Sequence, residues 1–159
     1  MTAIVSTEEL RQLKGMPAST FVMHRKPMLF LDRLVDIGED FATCEWCIGD
    51  DFQLLVPGLG VPSYAGVEFM AQCVAVHAGA RARVRGFGPP FGMLLGARHY
   101  KCTTSFFGAG LTYQATCQEL VRDSQGMGSF ACRILSDGNC IAEANLAVLE
   151  RPQEIKLDD

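Results

Sequence analysis

No stretch of the sequence approaches the roughly 18 consecutive apolar residues that a membrane-crossing helix needs, so no span is expected. Positive charge is not in excess. Fourteen Lys and Arg stand against 18 Asp and Glu, a formal net charge of -4. Phosphate backbones call for a basic surface, so this balance excludes nucleic acid as a partner class, while a local basic patch could still meet an acidic protein. Residues 1–5 lack the charged start and apolar run of a secretory leader, and polar residues 6–14 follow, so a cytoplasmic location is expected. Histidine is scarce, with three in 159 residues, which leaves His24, His77 and His99 as the whole supply of imidazole. Cysteine is not scarce, but its seven residues are odd in number and scattered through apolar segments. They read as buried reduced thiols rather than a disulfide framework. Cys44 and Cys47 have a metal-type spacing, but no second ligand pair follows and strand positions three apart point to opposite faces. No metal site and no cofactor are expected.

What is present suits one domain over residues 1–159, since 48% hydrophobic and 20% charged residues are ordinary for a globular chain. Ser6 with Glu9 three residues on reads as a capping box opening a short helix to about Lys14, and a connector follows to residue 20. Residues 28–37 and 41–48 read as two strands of a hairpin across Gly38-Glu39-Asp40. Residues 53–62, with Pro57, Gly58, Gly60 and Pro62, read as an irregular loop. Residues 63–85 lack proline and are rich in Ala, Met, Glu and Gln, which predicts one long helix. Strands are predicted near 91–107, 111–121, 126–135 and 140–150, with a tight turn at Asp137-Gly138 and a charged, frayed tail over 151–159. A hairpin, a long apolar helix and a run of antiparallel strands predict an α+β fold in which a sheet curls around the helix, the hotdog architecture. Such a sheet leaves a pairing strand at its edge, so a homodimer is expected.

Two segments carry a resemblance. His24-Arg25-Lys26-Pro27-Met28-Leu29-Phe30-Leu31-Asp32-Arg33 is similar to the run that leads into the first strand of the 3-hydroxyacyl-(acyl-carrier-protein) dehydratases. Pro62-Ser63-Tyr64-Ala65-Gly66-Val67-Glu68-Phe69-Met70-Ala71-Gln72 resembles the opening of their central helix. Together with Leu94-Leu95-Gly96-Ala97-Arg98-His99-Tyr100, the second segment looks closer still to the ApeP-like dehydratases of aryl-polyene gene clusters. The similarity in element order spans residues 24–150. One departure stands out: Leu54 occupies the position of the loop histidine found in the familiar dehydratases.

The resemblance implies dehydration of 3-hydroxyacyl thioesters borne on the phosphopantetheine arm of acyl carrier protein, in fatty-acid or polyene-type biosynthesis. It implies Glu68 as acid/base, with Pro62 and Ser63 opening the helix so that a backbone N–H near Ser63 meets the thioester oxygen. Gln72, four residues after Glu68, shares its face and is expected to bind substrate, with Ala75 and Gly79 leaving room for an acyl chain. His24 is the histidine best placed to partner Glu68. His77 is half a turn out of phase with Glu68 and reads as a packing residue, and His99 as a rim or dimer-edge residue. Arg81, Arg83 and Arg85 with Lys101 read either as cations at a helix end or as a dock for the acidic carrier protein. Two other readings stay open: a hotdog thioesterase, which needs one carboxylate and a water, and a non-catalytic subunit paired with a catalytic hotdog dehydratase.

Overall fold

The computed structural model describes residues 4–151 and 156–158. The charged tail predicted for 151–159 therefore lies mostly outside the described residues. The chain opens on helix α1 (Thr7–Arg11), whose N-cap Ser6 accepts a hydrogen bond from the Glu9 amide at 3.3 Å. Strands β1 (Arg33–Ile37) and β2 (Phe41–Cys47) form the expected antiparallel hairpin. A two-residue strand β3 (Val61–Pro62) and a single 3-10 turn (Ser63–Ala65) lead into the long helix α2 (Gly66–Val84). Then come β4 (Phe91–Cys102), β5 (Phe106–Phe107), β6 (Thr112–Arg122), β7 (Met127–Ser136) and β8 (Asn139–Arg151).

Six strands form one antiparallel sheet in the order β1-β2-β6-β7-β8-β4, while β3 and β5 pair separately. The sheet curls around α2. The helix is buried over most of its circumference, with Phe69, Met70, Cys73, Val76, His77 and Ala80 inaccessible to solvent. Along β6 and β7 buried residues alternate with more accessible ones, the period of a sheet with one covered face. Trp46 stacks on Phe69 at 4.2 Å between ring centroids, and Phe107 meets Phe69 edge-on at 5.5 Å. These rings tie the sheet to the helix. The β7–β8 turn places both Asp137 and Gly138 at positive φ (49° and 77°), the conformation the Asp-Gly pair predicts.

Three expectations are corrected. Residues 28–32 are not strand. Although the run is apolar and partly alternating, its backbone groups bond elsewhere: the Met28 and Leu29 amides donate to Arg25 O, and the side chain of Gln72 takes the Phe30 N–H and the Met28 carbonyl. Residues 53–62 are not wholly irregular, because Val61–Pro62 pairs with Phe106–Phe107, which in turn stands apart from β4. The cysteines divide. Cys44, Cys73, Cys117 and Cys132 are buried and Cys102 partly so, but Cys47 and Cys140 are exposed; all are free thiols. The Cys117 thiol is held up by its hydrogen bond with Cys73 and by burial, and the Cys132 thiol by burial and its cross-strand neighbour Cys117.

Candidate active site

The first turns of α2 bring the two leading candidates together. His24 Nε2 lies 3.9 Å from Glu68 Oε1, and each side chain is a little over one-third exposed. Gln72 is almost wholly buried and acts as a bracket. Its amide nitrogen donates to Glu68 Oε1 and to the Met28 carbonyl, both at 2.8 Å, while its oxygen accepts the Phe30 N–H at 2.8 Å. Both amide hydrogens are thus committed, so Gln72 orients the carboxylate rather than offering a free donor. Two of these bonds fix residues 28 and 30, which follow His24.

The approach of His24 depends on a glycine. The backbone of Phe21 lies directly against Gly79, where any side chain would collide with the Phe21 carbonyl. Gly79 therefore makes room for the connector, not for an acyl chain as the sequence suggested. Arg25 holds the next bend, with Nη1 donating to the Val22 carbonyl at 2.8 Å and to the His24 carbonyl at 2.7 Å. His24 Nδ1 is buried and has no hydrogen-bond partner among the described residues.

Beside the pair lies a cavity of about 450 Å³. Ala71, Ala75 and Ala78 of α2 floor it, and Phe91, Met93 and Leu94 of β4 wall it, with His24 and Glu68 on its rim. The alanines fall at i, i+4 and i+7, one helical face whose missing bulk opens the space. The apolar lining suits a hydrocarbon chain, and the carboxylate with the imidazole supplies the polar focus.

The helix start is clamped. Tyr100 donates its hydroxyl to the Ser63 carbonyl, and Gly66 leaves room for the tyrosine ring. Burial raises the Tyr100 hydroxyl above its ordinary range, which keeps it a donor. The Ser63 N–H donates to the Ser105 carbonyl at 3.0 Å. That amide is committed within the fold, so the donor expected near Ser63 is not the Ser63 N–H itself. Leu54 is half-buried against the core.

The other histidines lie apart from this focus. His77 is fully buried, with Nε2 3.3 Å and 3.1 Å from the Gly38 and Glu39 carbonyls. Burial, then the Arg81 charge, lowers its pKa. His99 is exposed on β4 at φ 55°. Among the described residues no group of three or more His, Cys, Asp or Glu is placed to hold a metal ion, and no helix is long and apolar enough to cross a membrane.

A curled antiparallel sheet around one long helix, with a carboxylate near the helix start beside an apolar cavity, defines a hotdog domain. The particular family follows from the sequence match: residues 16–157 fit the ApeP-like family, described as ApeP dehydratase, and the chain belongs to it. Among solved structures, it is similar to the dehydratase heterocomplex ApeI:P from Xenorhabdus doucetiae, at 23% identity and a TM-score of 0.81 over 89% of this chain and 94% of that one. More remote folds of the same kind include the PaaI protein from the phenylacetic acid degradation operon of E. coli, at 15% identity and a TM-score of 0.58 over 77% of this chain and 81% of that one. A thioesterase from Pseudomonas aeruginosa matches at 11% identity and a TM-score of 0.58, over 76% of this chain and 81% of the other. None of the curated proteins compared matches the sequence.

Proposed function

We propose that the protein dehydrates 3-hydroxyacyl thioesters carried on acyl carrier protein, with the acyl chain in the 450 Å³ cavity. The observation that carries this reading is the 3.9 Å approach of His24 to Glu68 at the rim of that cavity. Dehydration needs one group to take the proton from the carbon beside the carbonyl and one to deliver a proton to the hydroxyl at the next carbon. As the first C–H bond breaks, its electron pair forms the new C=C bond and the C–O bond breaks, releasing water. A carboxyl and an imidazole side by side supply one proton acceptor and one donor within reach of adjacent carbons. Gln72 holds the carboxyl in place between them. By the family resemblance, a backbone amide near Ser63, where α2 begins, would serve the carbonyl oxygen, where negative charge grows.

The assay is direct: purified protein is mixed with a 3-hydroxyacyl thioester and enoyl absorbance is followed. Turnover should fall at least about 100-fold in Glu68→Gln. Enoyl formation that survives this substitution would overturn the assignment, and release of free thiol without enoyl product would select hydrolysis instead.

A second reading rests on Leu54 and on the open edge of β4 that walls the cavity. In it, the chain pairs through β4 with a second hotdog subunit that completes the chemistry. The solved heterocomplex of a structurally similar chain supports such pairing. Activity that appears only on mixing with a hotdog dehydratase would select this reading over a self-sufficient homodimer.

A further inference from the structure

A second cavity, of about 900 Å³, opens at the other end of α2. Four arginines from three elements converge on it: Arg81 in the last turns of α2 with Arg85 capping the helix, Arg122 ending β6 and Arg151 ending β8. Ile4 and Val5 supply an apolar wall. Four carboxylates stand near the arginines: Glu119 and Glu150 are ion-paired, while Glu39 and Asp123 are held by neutral donors. Glu119 Oε2 lies 3.5 Å from Arg81 and 3.0 Å from Arg122. Glu150 Oε2 lies 2.5 Å from Arg122. Glu39 accepts from the Thr7 hydroxyl at 2.9 Å, and Asp123 accepts two amides of its own turn at 2.9 Å. Arg85 and Arg151 are left with no ion pair among the described residues, and Arg85 Nε is buried with no hydrogen-bond partner.

Cations at a helix C-terminus are ordinary, because they offset its partial negative charge. That account covers Arg81 and Arg85. It does not cover Arg122 and Arg151, which come from strands, nor the gathering of all four while Arg83, also at the helix end, and Lys101 stay out of the cavity. Burial, then the charge of Arg122, holds Arg81 below its usual range, while Glu119 and Glu150 act against that shift.

We infer that this cavity is a second binding site, for the phosphate group of a phosphorylated small molecule. Guanidinium groups arriving from several directions suit a tetrahedral dianion better than a planar carboxylate, and among the described residues Arg85 and Arg151 make no ion pair. A volume of about 900 Å³ exceeds what a lone phosphate fills and leaves space for an organic body against Ile4 and Val5. The site stands independently of the acyl chemistry at Glu68.

The test is calorimetric titration of the full chain with inorganic pyrophosphate and with adenosine 3′,5′-bisphosphate, at fixed ionic strength. At least one probe should bind saturably, and the double variant Arg85→Gln/Arg151→Gln should bind it at least tenfold more weakly. Among the described residues neither arginine is ion-paired, so the variant should lower the melting temperature only slightly, by the lost charge of Arg85 at the helix end. Glu68→Gln should bind as the wild type does. Absence of saturable binding by either probe, equal binding by the double variant, or loss of binding in Glu68→Gln would each overturn the inference.

Discussion

The two edges of the main sheet are finished in opposite ways. At β1 the chain covers its own edge. The Gly15 amide donates to the Leu34 carbonyl at 2.8 Å, the Leu34 amide to Met16 at 3.0 Å and the Ala18 amide to Asp32 at 2.9 Å. Lys14 pairs with Asp36 at 2.6 Å and holds that carboxyl below its usual range. At β4 no strand pairs with the outer edge among the described residues. Residues 91–99 are all exposed, and Phe91, Met93, Leu94 and Leu95 each present two-fifths or more of their surface to solvent. A bare apolar edge invites another strand, and natural sheets normally blunt such edges with charge or proline. The closed edge stabilises the monomer, whereas the open one lies against the 450 Å³ cavity, where the proposed second subunit would add to the wall.

The sharpest way to break this contrast is to place the same charge on both edges. Leu34→Lys should unfold the domain, at a cost of roughly 4 kcal/mol or more, because the position is fully buried. Leu95→Lys should change stability by no more than about 0.5 kcal/mol, yet abolish association read by light scattering. Equal effects at the two positions would erase the distinction. Next in size, Gly79→Val should drive the Phe21 backbone off α2, lower stability by about 3 kcal/mol in urea titration and lift His24 from Glu68. Gln72→Ala should cost about 2 kcal/mol by stranding the buried Phe30 N–H, and should lower turnover further by freeing the carboxylate.

The smallest effect is one of pH. The pKa of His77 is lowered in the fold, so the unfolded chain binds the proton more readily. Stability should be flat above the ordinary imidazole value of about 6.5 and should fall as pH drops through it toward the lowered folded value. Urea midpoints between pH 5 and 8 should show that slope. A His77→Gln variant should lack it.

Much of this was legible in the sequence. The order of hairpin, helix and strands follows from turn residues and from a long proline-free segment, and Glu68 and His24 follow from two short motifs. What was not legible involves contacts between distant segments. Residues 28–32 alternate like a strand, but the side chain that captures their backbone comes from residue 72. Gly79 carries no mark of which segment approaches it. Arg122 and Arg151 are isolated charges at strand ends, and only the return of β6 and β8 to the helix end brings them to Arg81. The commitment of the Ser63 amide depends on a two-residue strand too short for any periodicity to reveal.

The division of the thiols makes the domain its own clock. An alkylating reagent should label Cys47 and Cys140 at once, since both are exposed. It should reach Cys44, Cys73, Cys117 and Cys132 only when the interior opens, because burial shields all four and the thiols of Cys73, Cys117 and Cys132 are also held above their usual range. Counting adducts against time by mass spectrometry would then record breathing of the interior without any introduced label, and occupancy of either cavity would be read as a slower tick.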